Sequence, residues 1–196
     1  MNYLGHAYLS FNNAPILAGN MIGDYVKGSK VLRSFPEGIR QGIVLHRKID
    51  AFADAHPATA VAKEVYRPHY RLYAGAFVDS LYDHFLAKDT SIFTDEHALA
   101  NFARQTYGLL QTQQEWLSER FLKILPYMVG QNWLYNYRTL DGMANAFAGL
   151  VHRAKYLNDS DTAHRLLVQN YALLEAQYSL FIKDITRYVK KQLNDG

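Results

Sequence analysis

The sequence predicts an all-α fold, a single helical bundle, and three observations predict it. Apolar residues recur at three- and four-residue intervals through most of the chain, the period of a helix buried along one face and not of a strand. Only five prolines are present, half of the twelve glycines fall before residue 45, and no Ser/Gly/Pro-rich stretch or internal repeat marks a linker. At 196 residues, with 49% hydrophobic and 20% charged content, the chain can bury one sizeable core, so a single domain over 1–196 is expected.

Periodicity predicts helices over 3–12 and 14–29. Ser34-Phe35-Pro36-Glu37 reads as the start of a third over 36–54, with Pro near the first helical position. His56-Pro57 ends it, because the residue before proline avoids the helical region. The next pattern runs over 58–88, with a break or kink expected near Tyr66 to Pro68. Further helices are expected over 95–123, 126–137 and 139–154. Asn158-Asp159-Ser160-Asp161 then separates and caps a last one over 160–192.

Composition excludes several classes of function. There is no cysteine, so disulfides, a thiolate nucleophile, zinc ribbons and iron–sulfur clusters are out, and only His, Asp, Glu and neutral oxygens remain as metal ligands. No run approaches the ~20 apolar residues of a membrane span, and the N-terminus lacks the pattern of a signal peptide. A soluble, cytoplasmic protein without a membrane partner is expected. The net charge of +3 is too mild to argue for nucleic acid, and the 15 Tyr and 10 Phe spread through helical periods as core residues, not as a base-stacking platform.

His6, Asp24, His46, Asp50, Asp54, His56, Asp79, Asp83 and His84 all fall within the first 84 positions. Carboxylates and imidazoles brought together from several elements are what cation binding needs. His46, Asp50 and Asp54 share one helix face beside Leu45, Ile49 and Phe52, so His46 is either a satisfied core residue or a ligand. Asp79 and Asp83 repeat the spacing in an almost wholly apolar helix, and buried carboxylates must be paired or metal-bound. Arg67 or Arg71 could pair with them, although one guanidinium satisfies two carboxylates poorly. His84 points roughly 100° away from Asp83 and reads as a supporting group or an acid/base, not as a ligand beside it.

Gly19-Asn20-Met21-Ile22-Gly23-Asp24 permits close helix approach, which would carry Asp24 toward the centre with Lys27 nearby as a phosphate-binding charge. The plainer reading of that block is close packing with an ordinary cap. His6 is either a hydrogen-bonded buried imidazole or part of the site. Arg33, Arg40, Arg47, Lys48, Lys63, Arg67 and Arg71 lie in the same half and could attract an acidic partner.

Five ordered blocks carry a resemblance. Asn2-x-Leu4-x-His6, Gly19-Asn20-x-x-Gly23-Asp24-x-x-Lys27-Gly28, Gly42-x-x-Leu45-His46-Arg47-x-Ile49-Asp50, Asp79-x-x-x-Asp83-His84-Phe85-Leu86 and Trp133-Leu134-x-x-Tyr137-Arg138 together resemble the acyl carrier protein phosphodiesterase family, also called acyl carrier protein hydrolase. The resemblance covers residues 1 to about 152. It implies an all-helical enzyme related to the HD-domain phosphohydrolases, which removes the 4′-phosphopantetheine arm from holo acyl carrier protein by hydrolysing its phosphodiester with a divalent cation, typically manganese. The family's acidic and imidazole positions correspond to His6, Asp24, His46, Asp50, Asp79, Asp83 and His84. Thr90 departs from the Trp that often follows the Asp-His-Phe-Leu block, which bears on local packing or substrate fit.

The expectation is therefore a metal-dependent phosphodiesterase. Asp24, His46, Asp79 and Asp83 are expected to hold one Mn²⁺, with Mg²⁺ second. His6, Asp50 and His84 are expected as acid/base or supporting groups, and Lys27 and Arg47 as the charges that hold phosphate or the acidic carrier surface. Two alternatives stand beside it: an HD-type phosphohydrolase acting on a nucleotide or other small phosphate ester, and a non-catalytic helical protein that binds an acidic carrier.

Overall fold

A computed structural model describes residues 1–194. Helix α6 (Ala74–Lys88) is the centre of the fold: eleven of its fifteen residues are buried, so it is covered on nearly every side. Around it pack α1 (Tyr3–Tyr8), α5 (Pro57–Tyr70), α10 (Leu140–Arg153) and the long α12 (Tyr171–Asn194). The most extensive pairing is between α2 (Ala14–Ile22) and α4 (Glu37–Ala55). The others are α3 (Ser29–Leu32), α7 (Glu96–Thr112), α8 (Glu119–Gly130), α9 (Trp133–Asn136) and α11 (Asp161–Gln169). Among the described residues there is no strand, and one continuous apolar core runs from Met1 to Val189. Among those residues no helix is long and apolar enough to cross a membrane.

The helices agree in kind with the sequence reading and differ in where they break. The segment expected over 3–12 stops at Tyr8, because Phe11 and Asn12 take positive φ angles of 47° and 58°. The one expected over 14–29 ends at Ile22 and passes into a 3₁₀ turn at Gly23–Tyr25. Pro68 sits within α5 near its exposed end, where few hydrogen bonds remain to be lost, and the break comes later at Arg71, whose φ is 47°. Pro126 is likewise inside α8. The segments over 95–123 and 126–137 are divided instead by the turn before Ser118, which caps α8, and by Asn132 at φ 47°. The last segment is two helices, α11 and α12, parted at Asn170.

Candidate metal centre and active site

The site is built on the crossing of α2 and α4. A Cβ on Gly19 would fall on the Ile39 carbonyl and one on Gly42 on the Ile16 carbonyl, so only glycine at both positions lets the two backbones meet. One turn further along, Gly23 lies directly beneath the His46 ring, where any side chain would collide with it. The crossing thereby sets Asn20 and Asp24, from the end of α2, beside His46 and Asp50 of α4. Helix α1 brings His6 onto the same spot, its ring stacked on that of His46 with centroids 4.2 Å apart and planes 17° from parallel.

Asn20 fixes both imidazoles. Its amide nitrogen donates to the His6 carbonyl at 2.9 Å, and a carbonyl can only accept, so the side-chain oxygen is the atom facing His6 Nδ1 at 2.7 Å. His6 Nδ1–H is therefore the donor. His46 Nδ1–H donates to the Asn20 main-chain carbonyl at 2.7 Å. Both rings turn Nε2 toward the same point. There His6 Nε2 lies 3.2 Å from Asp50 Oδ1, and His46 Nε2 lies 3.1 Å from Asp50 Oδ2 and 3.3 Å from Asp24 Oδ1.

One ligand atom each from His6, His46 and Asp50 falls within a 4.8 Å group. His46 Nε2 is buried, and although two carboxylate oxygens are near, neither meets it with hydrogen-bond alignment. An orphaned nitrogen aimed at two anions fits a cation between them. The electrostatics agree. Burial alone would lower His46, but the Asp24 and Asp50 carboxylates outweigh it and lift the ring to about 9, a proton filling the electrostatic role of the cation. Burial would raise Asp50, and the two imidazoles instead hold it well below the usual carboxylate range. Asp24 is lowered by its contact with His46. His6 is pushed down by burial and by the neighbouring His46.

Inner and outer sides of this group differ. The two rings are buried, whereas Asp50 is half-exposed and the Asp24 side chain is 76% exposed, so the carboxylates face an open cleft of about 550 Å³. Arg120 of α8 and Arg153 of α10 line that cleft with Tyr3, Tyr25 and Tyr73. Neither arginine takes part in an ion pair among the described residues, so both charges are available to an anion.

The remaining residues singled out in the sequence lie elsewhere or are otherwise engaged. Asp83 is fully buried and accepts the main-chain N–H groups of Asn2, Leu4 and Gly5 at 3.3, 2.7 and 3.0 Å, so both of its oxygens cap the N-terminus of α1. Burial lifts its carboxyl to about 7 against the pull of the Met1 ammonium and those N–H groups. Asp79 reaches the cleft wall, but its Oδ1 accepts from the Met1 ammonium at 2.8 Å. His84 faces away from the cleft. Its Nδ1–H donates to the Tyr137 carbonyl at 2.7 Å and its Nε2 accepts from Tyr171 at 3.0 Å, while burial lowers it to about 4. Arg47 donates to the Val26 carbonyl at 2.9 Å, pinning the loop after Asp24, and Lys27 is exposed outside the cleft lining.

Sequence reasoning missed Asn20, Arg120 and Arg153. A polar amide between two glycines in an otherwise apolar helix was the available signal for Asn20. The arginines carried none, because their place at the cleft depends on long-range packing.

Comparison with known proteins gives a consistent result. The profile of the family described as "Acyl carrier protein phosphodiesterase" matches residues 1–185. A protein of Enterobacter sp. (strain 638) named acyl carrier protein phosphodiesterase is 29% identical over 181 residues, covering 92% of this chain and 93% of the relative. One of the same name from Escherichia coli O157:H7 is 30% identical over the same shares. No solved structure matches the chain.

Proposed function

The chain belongs to the acyl carrier protein phosphodiesterase family, and from that premise we propose that it releases the phosphopantetheine group from holo acyl carrier protein by hydrolysing the phosphodiester to the carrier's serine. We assign the cation to His6, His46, Asp50 and Asp24. Relative to the sequence expectation, His6 and Asp50 enter the ligand set, Asp79 and Asp83 leave it, and His84 loses its acid/base role. Two imidazoles and two carboxylates suit Mn²⁺ better than Mg²⁺, which favours an all-oxygen shell. The observation that carries this reading is Asn20, whose side-chain amide holds His6 and whose main-chain carbonyl holds His46 so that both Nε2 atoms face one point.

A divalent cation held there supplies positive charge to a phosphoryl oxygen and lowers the pKa of its water toward ~7. The chain's own residues do the rest. Arg120 and Arg153, unneutralised in the cleft lining, hold the phosphodiester oxygens and stabilise the charge that grows on them. The Tyr3 and Tyr25 hydroxyls lie 3.5 Å apart in the same cleft lining. Burial raises Tyr3 and keeps it protonated, so the pair offers a proton to the departing serine oxygen. Lys27 and the bases near it face the acidic carrier from outside the cleft, and a cytoplasmic location goes with this substrate.

The test is direct. Purified protein with Mn²⁺ and holo acyl carrier protein is expected to yield apo protein by mass spectrometry, at a rate that falls with added salt because exposed bases steer the encounter. No release of phosphopantetheine, with hydrolysis confined to nucleotides or other small esters, would refute the substrate.

Asn20→Ala tests the geometry. It should weaken Mn²⁺ binding about 10- to 100-fold by calorimetry, the usual cost of losing a group that orients a ligand. Its helical circular dichroism should persist. Wild-type affinity would contradict the orienting role.

A further inference from the structure

We propose that the pocket opening off the cleft at Arg153 receives the pantetheine arm. This rests on the reading above, that the cleft holds a phosphopantetheine diester. The pocket, about 210 Å³, is a separate cavity from the cleft but shares Asn2, Tyr3 and Arg153 with it, so a phosphate held by Arg153 sits at its mouth. Its remaining walls mix side-chain amides, Asn136, Asn145 and Gln131, with the Trp133 indole. That mixture matches an extended chain carrying two amides between short methylene stretches: amides require hydrogen-bonding partners, methylenes apolar surface.

Helix α10 gives the direction. Gly142, Ala146, Gly149 and Arg153 all line the pocket at spacings of four, three and four residues, so they form one face of the helix with small residues leading away from the arginine. The Arg153 guanidinium folds back to 3.4 Å from where a Cβ on Gly149 would stand, so a phosphate bound to it lies near Gly149, and from there to Gly142 the helix rises about 10 Å. The arm from phosphorus to its terminal sulfur is about 13 bonds, roughly 15 Å when extended at the spacing of a polypeptide backbone. The arm is the longer of the two, and because the Asn136 carbonyl lies against Gly142 the open floor is centred on Ala146, so only part of the arm lies along the helix.

Ala146, at the middle of the floor, is the position to fill. In wild-type protein, free pantetheine is expected to inhibit turnover of holo carrier protein competitively. Ala146→Phe is expected to lower kcat/KM for holo carrier protein at least 30-fold, and to lower the ratio of that rate to hydrolysis of bis(p-nitrophenyl) phosphate, a diester without an arm, at least tenfold. A kcat/KM for holo carrier protein within twofold of wild type would overturn the proposal. If Ala146→Phe does not fold, Asn145→Ala, at an exposed position, decides: a pantetheine inhibition constant raised at least fivefold supports the arm pocket, and an unchanged one overturns it. Wild-type protein that hydrolyses the small diester but never holo carrier protein would instead overturn the substrate reading, and this proposal with it.

Discussion

Asp50→Asn is expected to abolish turnover while leaving the fold intact, with kcat/KM lowered at least ~10³-fold, or about 4 kcal/mol of transition-state stabilisation. Among the described residues Asp50 is the one carboxylate that reaches both imidazoles, with an oxygen 3.2 Å from His6 Nε2 and the other 3.1 Å from His46 Nε2. The substitution is nearly isosteric, but it removes a negative charge and puts an N–H₂ where the proposed ligand oxygen stood. That donor can bond the bare lone pair of an imidazole, which satisfies the site internally and leaves a cation nothing to bind. Mn²⁺ affinity by calorimetry is therefore expected to fall more than ~100-fold. Thermal unfolding should change little, because the side chain is half-exposed and its partners are confined to the site. Stoichiometric Mn²⁺ binding at wild-type affinity would remove Asp50 from the ligand set.

The helical class and the residue types of the site could be read from the sequence; their convergence could not. Period and composition suffice for helices because each buries a stripe against one core. The breaks were misplaced for a definite reason. Pro68 and Pro126 are conspicuous in the sequence yet ride inside helices, whereas the chain turns where Arg71 and Asn132 adopt positive φ, which packing and not propensity imposes. The roles of His6, Asp50, Asp79 and Asp83 were likewise set by partners outside their own helices. Spacing placed His46 and Asp50 on one face, but the third member, His6, arrives from α1. The rule that a buried carboxylate needs a partner applied correctly to Asp83, and its partner is the main chain of α1, which no side-chain pattern announces. His84 was turned from Asp83 by helical geometry alone, and its bonds to Tyr137 and Tyr171 give the reason it stays buried.

Asp83→Asn should fail in the opposite way from Asp50→Asn. The Asp83 carboxylate, at the centre of the molecule, accepts three N–H groups from the start of α1, groups that a helix N-terminus otherwise leaves without partners. In its ionised form it also sets a negative charge at the positive end of that helix. An asparagine there retains one accepting oxygen and turns an N–H₂ toward main-chain N–H donors, in a place water does not reach. Charge-assisted bonds are worth roughly 1.5–3 kcal/mol each, and an unsatisfied buried donor costs a similar amount, so a loss of about 3 kcal/mol is expected. For a chain of this size that lowers Tm by roughly 6–12 °C. Because α1 carries His6, activity falls too, but by a different route: the folded fraction should still bind Mn²⁺ within about threefold of wild type. The pair of variants thus separates the two kinds of buried acid by measurement. Stability lost with metal affinity kept identifies a carboxylate that holds α1 in place. The reverse pattern, wild-type Tm with Mn²⁺ binding gone, would return Asp83 to the metal and displace the assignment drawn from its three main-chain bonds.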